Sequence, residues 1–174
     1  MDTSISDLVY PRNYQHTSQF LDDNILKVYV DSPTRFTRNM LATTDEMVSF
    51  DIKVLKKPKH AEVAFYEQYA MPEPYGYASG LCIPTEKGYT ILVKKFAGDK
   101  KYVYLHEWGH ALGLEHPHDD KDGDIWHDTD TNDTVMSYNW IAPVRAFRPA
   151  DVDTITGLYN IKNVSGTTSS EKIR

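Results

Sequence analysis

The sequence predicts an α+β fold, and three observations carry that reading. Five short segments between residues 24 and 94 read as strands, bounded by turn-forming Pro, Gly, Asp and Lys residues. Two segments, about 35–48 and from Pro149 onward, repeat apolar residues at helical spacing. A third helical segment, about 101–113, carries two histidines four residues apart and closes on a glycine.

In chain order, residues 24–30 alternate and form the first strand. Asp31, Ser32, Pro33 and Thr34 break it and can start a helix. Phe36, Met40, Leu41, Met47 and Val48 mark the buried stripe of that helix. Residues 50–55 alternate again until Lys56, Lys57 and Pro58 interrupt, and 61–67 form a third strand. Residues 71–76, with Pro72 and Pro74, are a loop, and 80–84 and 89–94 flank the turn at Glu86, Lys87 and Gly88. After a turn at 98–100 comes the histidine-bearing helix. Pro149 sits where a helix can begin, with Val152, Ile155, Leu158 and Tyr159 as its apolar stripe. Residues 161–174 are rich in Ser and Thr and read as a flexible tail. With no internal repeat, residues 1–174 form one domain.

The chemistry is concentrated in His106-Glu107-Trp108-Gly109-His110-Ala111-Leu112-Gly113-Leu114-Glu115-His116-Pro117, which reads H-E-x-x-H-x-x-G-x-x-H-P. On a helix, His106 and His110 project from one face one turn apart, so two imidazoles can bind one Zn²⁺. Glu107 then leans over the open side of the metal as a general base rather than a ligand. Gly113 admits a left-handed backbone, the chain turns back, and His116 reaches the same ion. Pro117 opposes any resumption of helix. Three neutral histidines leave a coordination position for water, the pattern of a catalytic zinc site.

Further along, Thr134-Val135-Met136-Ser137-Tyr138 supplies a methionine-containing turn. The long histidine motif followed by this turn resembles the metzincin clan of zinc endopeptidases. Pro117 and the Met-Ser-Tyr turn are most similar to the serralysin-type branch, with matrixins as near relatives. The likeness covers roughly residues 24–160 in order of elements. It implies a twisted, mostly parallel sheet with an antiparallel edge strand, an active-site helix, a Met-turn and a C-terminal helix. It also implies His106, His110 and His116 as zinc ligands, Glu107 as general base, Met136 as the apolar floor beneath the metal, and Tyr138 as an oxyanion-stabilising hydroxyl. The implied activity is hydrolysis of extended polypeptides by a zinc-bound water that Glu107 activates. A narrow-specificity processing peptidase and a non-catalytic peptide-binding module on the same scaffold are the alternatives. An edge strand borders the cleft in this family, and residues 90–94 are the expected one. Residues 139–144 are the expected wall of the pocket beside the zinc, or else a packed loop.

Composition narrows the partners. A net charge of −6 argues against nucleic acid, and no apolar run approaches the length of a membrane span. Protein or peptide substrate and a monomeric state are expected. The single cysteine, Cys82, excludes an intrachain disulfide and reads as a buried core thiol rather than a latency switch. The N-terminus lacks the basic and apolar regions of a signal peptide, and the calcium repeats of the serralysin branch are missing. Secretion is the expectation from the likeness, with an intracellular location as the alternative. The acidic segments 119–124 and 128–133 lack the closing Glu of a calcium loop and read as solvated loops, with Ca²⁺ as the alternative occupant. His118 and His127 read as surface histidines.

Overall fold

The computed structural model describes residues 9, 11–21, 23–119, 126 and 128–160. The elements run α1 (Pro11–Ser18), β1 (Ile25–Val30), α2 (Arg35–Met47), β2 (Asp51–Leu55), β3 (Val63–Gln68), β4 (Gly80–Thr85), β5 (Gly88–Lys94), α3 (Lys100–Ala111) and α4 (Pro149–Asn160). The five strands form one sheet in the order β2-β1-β3-β5-β4. β1 pairs in parallel with β2 and β3, β3 pairs in parallel with β5, and β4 alone is antiparallel. This is the α+β arrangement, mostly parallel with one antiparallel edge strand, that the sequence pattern and the metzincin likeness imply.

The physical reasons are local where the sequence was explicit. In β1, Leu26, Val28 and Val30 are buried while the intervening residues are partly exposed, the period-2 pattern of a strand. Thr34 caps α2 in a reciprocal box with Thr37. Met40 and Leu41 face the core, and Thr44 lies on the same buried side. α3 differs, with eight of its twelve residues, including Val103, Leu105, Glu107 and Trp108, buried. A helix covered on nearly every side is an interior helix, packed here against β4, β5, α1 and α2. Trp108 is fully buried, its ring 5.7 Å from Phe65, and its indole N–H donates to Thr44 Oγ1 at 3.0 Å. That bond ties α3 to α2 and gives the one polar atom of the ring a partner.

One expectation is corrected, and one helix was not foreseen. The edge strand is β4, not residues 90–94; β5 lies inside the sheet between β3 and β4. Both segments read alike in sequence, and only long-range pairing of β5 with β3, Val63 opposite Tyr89 through Gln68 opposite Lys94, decides which is central. Secondly, α1 carries no apolar stripe for a sequence reading to find, and so short a helix is not stable alone. It is held by tertiary bonds: Thr17 Oγ1 donates to Ala111 O at 2.5 Å and Tyr89 Oη donates to Asn13 O at 3.0 Å. The expected tail at 161–174 lies outside the described residues.

Candidate metal centre

α3 brings His106 and His110 onto one face, and its end delivers His116. The helix stops at Ala111, two residues before the expected point, with Leu112 as the cap. Gly113 follows at φ 97°, the left-handed conformation anticipated for it. Leu114 N–H then donates back to Gly109 O at 2.9 Å, closing the helix end and aiming the chain toward His116.

The three imidazoles converge. His116 Nε2 lies 3.1 Å from His106 Nε2 and 3.0 Å from His110 Nε2. Two of the rings are oriented from behind: His106 Nδ1 lies 2.9 Å from Val135 O, and His110 Nδ1 lies 2.9 Å from Leu114 O. A carbonyl accepts only, so each Nδ1 carries the proton and each Nε2 presents a lone pair to the shared point. Burial, then the two neighbouring histidines, hold His106 well below the usual imidazole range, which keeps it neutral. The nitrogen donors of all three lie within 4.8 Å of one another, a group that can hold a metal ion. Nitrogen-only donors in this number suit Zn²⁺ among the common divalent ions.

Glu107 is buried beside this group. Its carboxylate accepts the backbone N–H of Cys82 on β4, but burial dominates and lifts its pKa to about 8. A divalent cation nearby would draw that value down again. Gly80, at the start of β4, makes room for it: a Cβ there would lie 2.5 Å from Glu107 Oε1 and 2.5 Å from Val103 Cγ1. The edge strand therefore grips the carboxylate along its backbone.

Met136 is fully buried, and its sulfur packs against α3 at Gly109, where a Cβ would come within 2.6 Å of Sδ. The turn that carries Met136 is fixed by Asp151 of α4, a residue the sequence reading passed over. Asp151 Oδ1 accepts from Thr134 Oγ1 at 2.5 Å, and Oδ2 accepts Val135 N–H at 3.0 Å and Arg148 N–H at 2.8 Å. Three donors pull its pKa down, yet burial outweighs them and leaves it raised to about 6. Tyr138 is exposed at 65%, and its hydroxyl stands 2.6 Å from His116 Nε2, at the point of convergence. Tyr102 supports the turn, donating to Ser137 O at 2.8 Å with its oxygen 3.3 Å from His106 Nδ1.

Other expectations fall as follows. Cys82 lies on the edge strand, partly buried and packed against the core, with burial and then the Glu107 charge pushing its thiol pKa well up. That shift makes it a poor nucleophile. His118 is partly buried rather than a free surface group, with Nε2 3.3 Å from Ser137 Oγ. His127 and residues 120–125 lie outside the described residues. In the second acidic segment, Asp130 Oδ1 accepts Asn132 N–H and Asp133 Oδ2 accepts Asp130 N–H, so these carboxylates cap a turn. Of residues 139–144, Trp140 and Pro143 line a cavity of about 570 Å³ with Tyr102 and Val103, and Val144 is buried beneath. A second cavity of about 690 Å³ lies on the other side, lined by His110, His116, Leu81, Cys82 and Tyr75. Among the described residues, no helix is long and apolar enough to cross a membrane.

No family model matches the chain. A stretch of 65 residues, 37% of the chain, is 38% identical to the "Probable matrix metalloproteinase 095L" of Invertebrate iridescent virus 3, of which it spans 14%. The chain thus resembles part of a metalloproteinase, and its three close histidines agree with a metal-dependent chemistry.

Proposed function

We propose that this chain is a zinc-dependent metalloendopeptidase domain acting on extended polypeptides. The observation that carries the reading is the convergence of the His106, His110 and His116 Nε2 atoms, two of them oriented by backbone carbonyls, with a buried carboxylate one residue from the first. The partial likeness to a matrix metalloproteinase supports it. In this reading the three histidines hold the ion, which when bound acidifies a water and polarises the scissile carbonyl. Glu107 takes the water's proton on a carboxylate oxygen as the carbonyl carbon is attacked. It then delivers that proton to the departing amine nitrogen. Burial and the β4 backbone keep the carboxylate in one place, so little reorganisation accompanies the transfer. Tyr138, exposed beside His116, donates a hydrogen bond from its hydroxyl to the developing oxyanion and keeps its proton. Met136 supports the histidines through the turn that Asp151 fixes. Substrate main chain pairs with the open edge of β4, adding a strand to the sheet.

The test is cleavage of casein by the purified chain at known metal content. Chelation is expected to abolish cleavage, and one equivalent of Zn²⁺ to restore it. Cleavage that persists in fully metal-free protein contradicts the proposal.

A further inference from the structure

The cavity of about 570 Å³ lies beside Tyr102, whose oxygen is 3.3 Å from His106 Nδ1. It adjoins a groove of about 690 Å³ lined by Arg35, Phe36, Lys100 and Lys101, the two sharing Gly98, Asp99 and Arg145. This groove is basic in a chain whose net charge is −6. Two of its four cations are compensated: Lys100 Nζ pairs with Glu67 at 2.7 Å, and Arg145 with Asp99 at 2.8 Å. Arg35 and Lys101 are exposed and have no carboxylate partner among the described residues. Lys101 instead leans toward the Phe36 ring, 5.8 Å from its centre. The starts of α2 and α3, capped by Thr34 and Asp99, open into the same groove and add positive potential. By contrast, the cavity on the His116 side is lined by Glu73, Glu115 and Asp119, with no lysine or arginine among the described residues.

We infer that the basic groove takes an acidic stretch of the substrate polypeptide, on the Trp140 side of the scissile bond. The inference rests on reading the centre as a peptidase and names the kind of substrate it favours. A chain lying across the metal centre and through the Tyr102–Trp140 cavity emerges beside Arg145. Its next residues then lie between Arg35 and Lys101, and Asp or Glu side chains there meet two uncompensated cations. Exposed charge pairs of this kind contribute modestly and are screened by salt, so the preference is one of binding rather than of turnover.

The experiment uses three peptides with one cleavable core and a four-residue tail: Glu at the N-terminal end, Glu at the C-terminal end, or Ser at both. The chain is compared with the double variant Arg35→Glu/Lys101→Glu, whose new carboxylates suit helix starts and leave the metal centre untouched. The expected result is that Glu at one end only lowers KM about fivefold at low salt, with kcat unchanged. That gain is expected to disappear in 0.5 M salt and in the double variant, which cleaves the Ser-tailed peptide normally. If the Ser-tailed peptide is cleaved and neither Glu tail helps, or if the gain survives in the double variant, the inference is overturned. If no peptide is cleaved, the peptidase reading is what has failed. Fluorescence anisotropy of a labelled Glu-rich peptide then decides the groove separately: binding to the unaltered chain and not to the double variant supports it, and equal or no binding overturns it.

Discussion

At the scale of single residues, Gly80 and Gly109 matter through the side chains they lack. Gly80 lets the edge strand lie against Glu107, and Gly109 lets the Met136 sulfur press on the helix that carries His106 and His110. Gly80→Ala is expected to displace the carboxylate and lower kcat about 10- to 100-fold, since small misplacements of a reacting group are costly. Metal content should stay near that of the unaltered chain and the unfolding midpoint should fall somewhat, because the added Cβ also presses on buried Val103; measuring all three separates a positioning effect from misfolding. Asp151 gives a pH prediction. Its folded pKa, about 6, lies above its ordinary 3.8, so the native chain holds this proton longer than the unfolded one. Its titration therefore favours the fold fully below 3.8, and about 3 kcal/mol of that contribution is lost as pH rises through about 6. Denaturant unfolding of Asp151→Asn beside the parent, between pH 4 and 7, should show the parent's relative advantage shrinking as pH rises. Histidine spacing, Glu107 and Gly113 were legible in the sequence because helix geometry converts spacing directly into position. Gly80, Gly109 and Asp151 were not, because each acts on a residue brought near only by the fold.

At the scale of elements, the decisive piece is α3, an interior helix that presents its motif inward against a turn and an edge strand. Its anchor is Trp108, which fills the space toward Phe65 and gives Thr44 a donor. Trp108→Ala leaves a cavity and removes the indole bond to Thr44, whose hydroxyl keeps its bond to Met40 O, so a loss of about 3–5 kcal/mol in unfolding free energy is expected by chemical denaturation. Trp108→Phe should cost less, keeping most of the volume while losing the indole bond. The helices α2 and α4 were legible from apolar spacing and from Thr34 and Pro149 at their starts, and α3 from its two histidines and closing glycine. The identity of the edge strand was not, since residues 80–84 and 89–94 carry similar patterns and only pairing with β3 makes β5 central. α1 was invisible because its eight residues owe their helicity to contacts such as Thr17 with Ala111.

For the molecule as a whole, a metal held by His106, His110 and His116 would couple the end of α3 to the chain beyond the reversal at Gly113. An ion that binds only the folded chain stabilises it by mass action, about 4 kcal/mol when free metal is a thousandfold above Kd. The melting temperature is therefore expected to fall on chelation and recover with Zn²⁺, and a scan indifferent to both would argue against a bound ion. The most direct measurement is casein cleavage by the unaltered chain and by Glu107→Ala, each loaded with one zinc per chain. The expected result is that the variant keeps its zinc and its melting temperature while cleavage falls about 10²- to 10⁴-fold. A variant that cleaves as fast as the parent at equal metal content would remove Glu107 from the chemistry and contradict the proposed peptidase mechanism.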